Sequence, residues 1–402
     1  MILAGDCIEQ MKTLEADSVD AIVTDPPYGL EFMGKDWDGF GTPLGFQTWT
    51  EQWAREALRV LKPGGHLLAF GGTRMYHRLA AGIEDAGFEI RDTLMWLYGS
   101  GFPKSLDVSR AVDKKSGVEG EWVEHPSFAN RNGNGKPGIF NQTNNKTGTR
   151  HQYEPTDAAK KWQGWGTALK PAVEPIVLAR KPLIGTVAEN VLTHGTGALN
   201  IDASRIGTDG GTRKAADNPG QESQLVYGDG LNGGEKQQIN SGRWPANILL
   251  DEAAAALMDE QSGDAGGGFG VRGRGGKTYA NGNGFANTLS EVGQQVGYGD
   301  SGGASRFFYV AKASRSERNK GLERNIHPTV KPVDLMRYLI RLVTPKGGTV
   351  LDPFLGSGTT AVAAIEEGVA WIGCEREPEY LEIIEARVAA AQPGMGLTLE
   401  EQ

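Results

Sequence analysis

Two consecutive prolines, separated by two residues from a short apolar run, are the feature of this sequence that most constrains its fold. The run Val19–Val23 ends in β-branched residues, which is typical of a buried strand. Neither Pro26 nor Pro27 has a backbone N–H, so the chain must leave the sheet there in a rigid, extended turn. The turn holds the Asp25 carboxylate, the Pro26 carbonyl and the Tyr28 ring at the carboxyl end of a strand, where open α/β sheets bind ligands.

These three groups suit the binding of a flat ring that carries an amine. The carboxylate and the carbonyl can accept the amine hydrogens, and the aromatic ring can stack on the flat face. A short motif of this kind also occurs as a plain proline turn, with a satisfied aspartate and a tyrosine in the core. The rest of the chain must therefore decide between the two interpretations.

The first 98 residues alternate predicted strands and helices. The spacing of apolar residues predicts strands at Ile2–Ala4, Asp20–Thr24, His66–Phe70 and Phe88–Trp96, and helices at Cys7–Leu14, Trp49–Leu61 and Thr73–Ala86. Strands separated by helices in this way are typical of a doubly wound α/β sheet.

The stretch 99–304 differs from both ends because it is rich in Gly, Asn, Gln and Ser. Two ordered elements are predicted within it, a strand-like run at Pro175–Ala179 and a helix at Glu252–Gln261. The segment 263–303 is of low complexity, and we expect it to be mobile or disordered without a ligand. The stretch is therefore predicted to be a large, partly disordered insertion.

A second strand, turn and helix follow the insertion. The pattern predicts strands at Ser305–Lys312, Thr349–Leu351 and Ala370–Cys374, and helices at Val333–Val343, Ala361–Glu367 and Glu377–Ala391. Between two of these elements lies the turn Asp352–Thr360, which reads D-P-F-L-G-S-G-T-T. Glycines in such a turn let the backbone approach a ligand, and an acid such as Glu375 at the end of the next strand can accept both ribose hydroxyls.

The ligand of this second turn is predicted to be an adenosine without a pyrophosphate. The turn contains no lysine to hold phosphates, and it lacks the third glycine of the dinucleotide fingerprint. S-adenosylmethionine fits this description, although a purely structural strand-to-helix turn would show the same spacing.

Both turns follow strands of one type, which predicts a single sheet assembled from both ends of the chain. Asp6, at the end of the first strand, would then face the adenine ring, and Glu375 would face the ribose. The predicted boundaries are 1–98 for the first half of the domain, 99–304 for the insertion and 305–402 for the second half.

The net charge of −9 is distributed unevenly along the chain. Residues 1–60 and 347–402 carry −7 and −8, whereas residues 61–346 carry +6. Nine bases and three acids lie within 311–346. Acidic ends with a basic middle fit a protein that contacts a phosphate backbone on one face, although a solvated charged helix around 311–325 would produce the same run.

Composition excludes some classes of protein. No run of about 18 apolar residues occurs, and the first residues lack the basic start and apolar core of a signal peptide, which predicts a soluble, cytoplasmic protein with no membrane partner. Cys7 and Cys374 are the two cysteines, so neither a disulfide framework nor a metal site is expected, and each is predicted to be a buried, reduced thiol.

The ordered set of motifs resembles the amino-group DNA methyltransferases of the β arrangement, in which D-P-P-Y precedes the target-recognition region and F-x-G-x-G comes last. The similarity covers about 1–98 and 305–391. The segments that carry it are 5–29, 61–72, 327–340, 350–364 and 371–380. The resemblance implies a Rossmann-like, S-adenosylmethionine-dependent methyltransferase fold, with the stretch 99–304 as the target-recognition region.

The same resemblance implies roles for individual residues. Asp25 and the Pro26 carbonyl would accept hydrogen bonds from the exocyclic amine of the target base, Pro27 would complete the motif, and Tyr28 would stack on the base. Cofactor contacts are implied for Asp6, Lys331, Asp352, Phe354, Gly356, Ser357, Gly358, Thr359 and Glu375.

The resemblance also implies a substrate and partners. Asp at position 25 favours the N6 amine of adenine in double-stranded DNA, with N4 of cytosine as the nearest alternative. Methylation of a protein glutamine or an RNA base, and a catalytically silent DNA-binding protein, are more distant alternatives. A prokaryotic or phage origin is implied, and a homodimer and a cognate restriction endonuclease are left open.

Overall fold

In a computed structural model of the protein, the described residues are 1–30, 38–99, 101, 105–117, 121–124, 151–207, 242–264, 270–271, 295–296, 302–312 and 315–392. The chain divides into two compact units. One unit comprises Met1–Gly99 together with Val173–Gln402, and the other comprises Ser100–Ala172. Most of the segment 263–303, which was predicted to be mobile, lies outside the described residues.

The described strands and helices are as follows. The strands are β1 (Ile2–Ala4), β2 (Val19–Thr24), β3 (Leu61–Phe70), β4 (Glu89–Leu97), β5 (Glu121–Glu124), β6 (His151–Glu154), β7 (Val173–Arg180), β8 (Ile248–Asp251), β9 (Gly270–Val271), β10 (Gln295–Val296), β11 (Tyr309–Ala311), β12 (Thr349–Asp352) and β13 (Ala370–Glu375). The helices are α1 (Cys7–Lys12), α2 (Pro43–Val60), α3 (Tyr76–Asp85), α4 (Val108–Ser116), α5 (Asp157–Lys160), α6 (Val187–His194), α7 (Glu252–Ser262), α8 (Arg315–Arg318), α9 (Val333–Val343), α10 (Thr359–Glu367) and α11 (Pro378–Ala391).

The larger unit is built on a nine-stranded sheet with the order β1-β13-β12-β2-β3-β7-β4-β8-β11. Strand β1 pairs with β13, and β2 lies between β12 and β3, so the two ends of the chain share one sheet. This confirms the predicted sheet. Neighbouring strands are parallel except at β7, which is antiparallel to both β3 and β4.

Helices cover both faces of the sheet, as a doubly wound fold requires. Along β3 the side chains alternate. Leu67 and Ala69 pack on the face of α1 to α3, in a cluster that includes Trp53, and Leu68 and Phe70 pack on the face of α9 and α10. Two apolar cores therefore hold the sheet rigidly, and the predicted α/β class is confirmed.

Two of the nine strands come from the stretch 99–304. The strand-like run predicted at Pro175–Ala179 forms the centre of β7, and β8 leads into α7 near the position predicted for a helix. Residues Ile176–Ala179 are buried because β7 lies between β3 and β4. These strands therefore belong to the larger unit. The polar sequence around them makes them hard to recognise as strands of the sheet from the sequence alone.

The predicted strand Ser305–Lys312 is shorter in the structure. Its first half forms a 3₁₀ helix at Ala304–Phe307, and only Tyr309–Ala311 extends the sheet as β11. Among the described residues, no helix combines the length and the apolar composition that crossing a bilayer requires.

The smaller unit contains α4, α5 and the antiparallel pair β5 and β6. The Asp113 carboxylate of α4 accepts hydrogen bonds from the hydroxyls of Tyr153 and Thr156, which ties the helix to β6 and to the residue before α5. Further described contacts within this unit include the hydrogen bond from the Ser109 hydroxyl to the Ala159 carbonyl.

Candidate active site

The proline turn, residues 25–29, leaves the sheet at the carboxyl end of β2. The Oδ1 atom of Asp25 accepts a hydrogen bond from the Tyr28 hydroxyl at 2.8 Å. The Oδ2 atom of Asp25 accepts one from the Lys331 ammonium at 2.6 Å. The turn is thereby connected to the segment that precedes α9.

A second carboxylate, Glu174, completes what we call the lysine cluster: Asp25, Tyr28, Glu174 and Lys331. The Oε2 atom of Glu174 lies 3.2 Å from Lys331 Nζ and accepts a hydrogen bond from the Tyr28 hydroxyl, also at 3.2 Å. Because β7 runs antiparallel, its amino-terminal end lies beside the carboxyl ends of β3 and β4. That reversal brings Glu174 to the edge of the sheet where β2 ends.

Charge and burial set the protonation of the lysine cluster. Burial by itself would lower the pKa of Lys331, but the charges of Asp25 and Glu174 outweigh it and hold that pKa above its usual value. Burial, followed by the same two carboxylates, raises the pKa of Tyr28 well above its usual value. Lys331 is therefore an ammonium and Tyr28 a neutral phenol at neutral pH.

A buried aspartate shapes the chain directly after Tyr28. The Asp38 carboxylate is 1% exposed and accepts hydrogen bonds from the backbone N–H groups of Gly29 and Leu30 at 2.6 and 3.0 Å. On the other side, a Cβ atom on Gly72 would lie 3.1 Å from the Tyr28 ring. The position of the Tyr28 ring is thus fixed by the hydrogen bonds of Asp38 to the residues that follow this tyrosine and by the close backbone of Gly72.

The glycine loop, residues 352–360, begins at the end of β12, the neighbour of β2. The Asp352 carboxylate accepts hydrogen bonds from the hydroxyls of Thr24 at 2.6 Å and Thr360 at 2.5 Å, and from the Phe354 N–H at 3.0 Å. Burial raises the pKa of Asp352 to about 6, against the opposing effect of these hydrogen bonds. Since Thr24 precedes Asp25, this carboxylate joins the two turns.

The Glu375 carboxylate lies at the end of β13, next to the glycine loop. Its Oε2 accepts the Gly356 N–H at 2.7 Å, and its Oε1 accepts the Glu377 N–H at 2.8 Å. Each oxygen keeps a second lone pair for a ribose hydroxyl. Burial raises the pKa of Glu375 to about 7, although both N–H groups oppose this. A buried carboxylate with remaining acceptor capacity fits the ribose of S-adenosylmethionine.

Two glycines of the loop adopt backbone conformations that other residues avoid. Gly356 has φ of 54° and Gly358 has φ of 77°. A Cβ atom on Gly356 would also lie 2.9 Å from Nε2 of His327. The loop therefore passes closely over the chain that leads to Lys331, which is why small residues are needed here.

An almost fully buried arginine of α11, Arg387, holds the glycine loop by hydrogen bonds. One terminal nitrogen of Arg387 donates to the Ser357 carbonyl at 2.6 Å and to the hydroxyls of Ser357 and Thr359 at 3.0 Å. Ser357 and Thr359, which were predicted to contact the cofactor, thus direct their hydroxyls toward α11. Their cofactor role stays a prediction.

A protein-family model described as DNA methylase, of N6 and N4 amino groups, matches residues 19–386. The chain belongs to this family. The match spans the proline turn, the strand that carries Glu174 and the glycine loop. The protein is therefore a DNA methyltransferase of the N6/N4 family that uses S-adenosylmethionine.

Curated relatives agree with this assignment. The methyltransferase is 24% identical to the type II methyltransferase M.HindIII of Haemophilus influenzae over 414 residues, which cover 93% of this chain and 90% of that protein. It is 33% identical to M.HinfI of Haemophilus influenzae over 109 residues, 24% of this chain and 30% of that one. With M.BglI of Bacillus subtilis, 57 residues are 53% identical, 14% of this chain and 16% of that one.

Solved structures with overall similarity include DNA methyltransferases. The PvuII DNA methyltransferase, described as cytosine-N4-specific, has a TM-score of 0.44 and 15% identity, with 96% of this chain and 85% of that one covered. The complex of M1.HpyAVI with S-adenosylmethionine has a TM-score of 0.39 and 16% identity, with 96% and 98% covered. No residue role follows from similarities at this level.

The remaining predicted site residues of the methyltransferase lie around the glycine loop. Asp6 is exposed and accepts hydrogen bonds from the N–H groups of Ile8 and Glu9, so it caps α1 directly after β1, the neighbour of β13. The Phe354 ring lies 5.5 and 5.4 Å from those of Trp49 and Trp53. Lys331 makes the described contacts with the proline turn, and its predicted contact with the cofactor stays a prediction.

Three residues of this site escaped prediction from the sequence. Glu174 was hidden in the Gly- and Asn-rich stretch, although a single acid between prolines at the start of an apolar run is a signal that could have marked it. Asp38 and Arg387 carry no local signal, because the partners of Asp38 lie nine and eight residues before it and the partners of Arg387 lie in the glycine loop.

The described residues include no group of His, Cys, Asp and Glu side chains arranged to hold a metal ion. Both cysteines are buried and free. Burial raises the pKa of Cys7 above its usual range and that of Cys374 to about 12. Both are therefore thiols at neutral pH and unsuited to act as nucleophiles.

Proposed function

We propose that this methyltransferase transfers a methyl group from S-adenosylmethionine to the exocyclic N6 amine of a flipped-out adenine in duplex DNA. The observation that carries the proposal is the hydrogen bond between Thr24 and Asp352. It holds the residue before Asp25 against the first residue of the glycine loop. Amine acceptor and cofactor loop thus belong to one rigid arrangement, and alignment of this kind is the main catalytic contribution in a direct group transfer.

The proline turn supplies the contacts to the target base. Asp25 and the Pro26 carbonyl accept the two amine hydrogens, and Pro27 keeps the turn extended. Both acceptors draw the amine lone pair out of conjugation with the ring, which makes the nitrogen more nucleophilic. Tyr28 stacks on the base and recovers about 1–3 kcal/mol of the few kcal/mol that flipping costs.

The transfer needs no covalent intermediate with the protein. When bound, S-adenosylmethionine supplies a methyl group on a sulfonium centre. The target amine would take that methyl group directly, with the S–C bond broken as the N–C bond forms, and the proton would leave the amine afterwards. Asp25 therefore acts as an acceptor that orients the amine and does not have to remove a proton first.

The cofactor contacts are assigned to the residues around the glycine loop. Glu375 accepts the ribose hydroxyls and Asp6 faces the adenine ring. Gly356 and Gly358 let the backbone approach the ligand, with Phe354 beside it. Asp352 holds the loop in place through its three hydrogen bonds.

Adenine is preferred to cytosine as the target because Asp stands at position 25, which by resemblance favours the adenine enzymes. Cytosine offers the same amine next to a ring nitrogen, so N4-cytosine methylation is the second candidate. The stretch 99–304, apart from the strands β7 and β8 that it contributes to the sheet, is assigned to target recognition, and a homodimer and a cognate restriction endonuclease remain predictions.

The decisive experiment is transfer of labelled methyl from S-adenosylmethionine to unmethylated duplex DNA, followed by digestion to nucleosides and mass spectrometry. We expect N6-methyladenine. If the product is N4-methylcytosine, the proposed mechanism stands and the target base is cytosine. Label found only in protein or RNA would overturn the DNA assignment, and DNA binding without any label would favour a silent DNA-binding protein.

The affinity for S-adenosylmethionine is expected to fall in acid. Ribose hydroxyls bind the ionised form of Glu375, whose pKa of about 7 lies above its usual value of 4.5. One pH unit below that pKa, about nine-tenths of the carboxyl is protonated, so the affinity at pH 6 should be roughly tenfold weaker than the plateau above pH 8. Isothermal titration across this range measures the effect, and Glu375→Gln should abolish the pH dependence.

The same carboxyl makes the opposite contribution to folding. Its raised pKa means that the folded state holds the proton more tightly than the unfolded chain does. Its stabilising contribution is therefore complete below pH 4.5 and is lost as the pH rises through 7. Cofactor affinity and this part of the stability should thus change in opposite directions with pH.

A further inference from the structure

Both carboxylate oxygens of Asp25 accept a hydrogen bond from within the protein. The Tyr28 hydroxyl uses one oxygen and the Lys331 ammonium uses the other. At 2.6 Å, the contact with Lys331 is the shortest in the lysine cluster. A target amine that donates to this oxygen of Asp25 either shares it with the ammonium, through the second lone pair, or displaces the ammonium.

The surroundings of the ammonium match those proposed for the target amine. Lys331 Nζ lies 4.9 Å from the centroid of the Phe70 ring and 5.5 Å from that of the Tyr28 ring. It is thus an N–H donor held by a carboxylate and two aromatic faces. An exocyclic amine on a base stacked against Tyr28 would use the same carboxylate and one of the same rings.

Glu174 offers the ammonium a second position. Its Oε2 is 3.2 Å from Lys331 Nζ, so a small movement of the flexible lysine side chain exchanges one carboxylate for the other. Such an exchange keeps the ammonium paired with a carboxylate and leaves Asp25 to the target amine, whereas an ammonium that lost Asp25 without this alternative would be strongly unfavourable. The side chains are 10% exposed for Lys331 and 22% for Glu174.

We infer that Lys331 is a place-holder that occupies the amine position on Asp25 until the target base enters, and that Glu174 then receives its ammonium. Glu174 is a positioning residue in this scheme, because it acts on the base only through Lys331. The inference rests on the proposed role of Asp25 as the acceptor of the target amine.

Protonation suits Lys331 to this task. An ammonium has no lone pair, so a methyl donor bound beside it cannot transfer its methyl group to the lysine. The two carboxylates that flank Lys331 hold its pKa above the usual value and keep it protonated. The free enzyme thereby fills the acceptor position with a group that does not react.

The test compares two duplexes in a fluorescence anisotropy titration with S-adenosylhomocysteine present. Each carries the site that the enzyme methylates in genomic DNA. One has the natural target base, and the other has its amine-free analogue, purine for adenine or 2-pyrimidinone for cytosine. The quantity of interest is the ratio of the two dissociation constants, amine-free over natural, in wild-type protein, Glu174→Gln and Lys331→Met.

In wild-type protein the amine replaces an ammonium that Glu174 receives, so we expect a ratio within about threefold of unity. Glu174→Gln removes the receiving charge, so the natural duplex alone should bind roughly tenfold more weakly and the ratio should fall. Lys331→Met leaves Asp25 without a cation, so the amine becomes its best partner and the ratio should rise roughly tenfold.

A purely structural role would weaken both duplexes alike, so an unchanged ratio in both variants overturns the inference. The matched control is Glu89→Gln. This change removes an ion pair between Glu89 at the start of β4 and Arg180 at the end of β7, far from Glu174, and should leave the ratio unchanged. The pair of duplexes is chosen for the base that the nucleoside analysis shows to be methylated. Failure of the adenine proposal therefore appears in the nucleoside analysis, and failure of this inference appears in the ratio.

Discussion

Asp25→Ala should reduce methyl transfer by about a thousandfold or more and leave the affinity for S-adenosylmethionine nearly unchanged. Removing one preorganised partner of the reacting group costs about 10²- to 10³-fold in rate, and here the same change also removes a negative charge beside a target amine that becomes positive. Single-turnover transfer of labelled methyl gives the rate, and calorimetric titration gives the cofactor affinity.

Two further variants define the cause of this loss. Asp25→Asn keeps an acceptor oxygen and the shape of the side chain, so its activity should lie between wild type and Asp25→Ala. Asp85→Ala removes an exposed carboxylate that bonds the side chain of Gln47 and should leave the rate unchanged. If Asp25→Ala lost cofactor binding instead, Asp25 would belong to the cofactor site, and full activity would refute its proposed role.

Glu375→Ala should weaken S-adenosylmethionine binding by about a hundredfold or more. Hydrogen bonds to a charged acceptor contribute about 1.5–3 kcal/mol each, and two ribose hydroxyls would lose that acceptor together. The substitution also releases the Gly356 N–H that holds the glycine loop. Calorimetric titration with the cofactor measures the loss directly.

Glu375→Gln separates these two effects. It retains one carbonyl oxygen for a backbone N–H or a hydroxyl, so its affinity should lie between those of wild type and Glu375→Ala. Because the buried carboxylate of Glu375 is costly at neutral pH, this variant should unfold at the same temperature as wild type or higher. Glu382→Ala, at an exposed position of α11, is the control, and unchanged affinity in Glu375→Ala would remove Glu375 from the ribose site.

The local parts of the active site were predictable from the sequence because their signals are short. Prolines end β2 at the predicted residue, since they cannot continue a ladder of hydrogen bonds. The spacing of Gly356 and Gly358 predicted a tight strand-to-helix turn, and both residues adopt positive φ. The predicted helix over Val333–Val343 agrees with the structure at both ends.

Other parts of the site could not be predicted because they arise from contacts between distant segments. Lys331 was assigned to the cofactor by resemblance, but its described partners include Asp25, 306 residues away in the chain. Glu174 lies 146 residues from Tyr28. Only the direction of β7 in the sheet decides whether Glu174 lies at the catalytic edge or at the opposite one, and a run of apolar residues does not specify strand direction.

The sequence by itself determined the class of fold, the two turns and the type of ligand that each can hold, because periodicity, proline and glycine act on neighbouring residues. The tertiary structure decided which charges meet. Burial between packed elements gives Asp352 and Glu375 pKa values of about 6 and 7, and the reversed strand β7 places Glu174 beside Lys331. Charges in a buried site depend on what surrounds them in space, and that environment exists only once the sheet has formed.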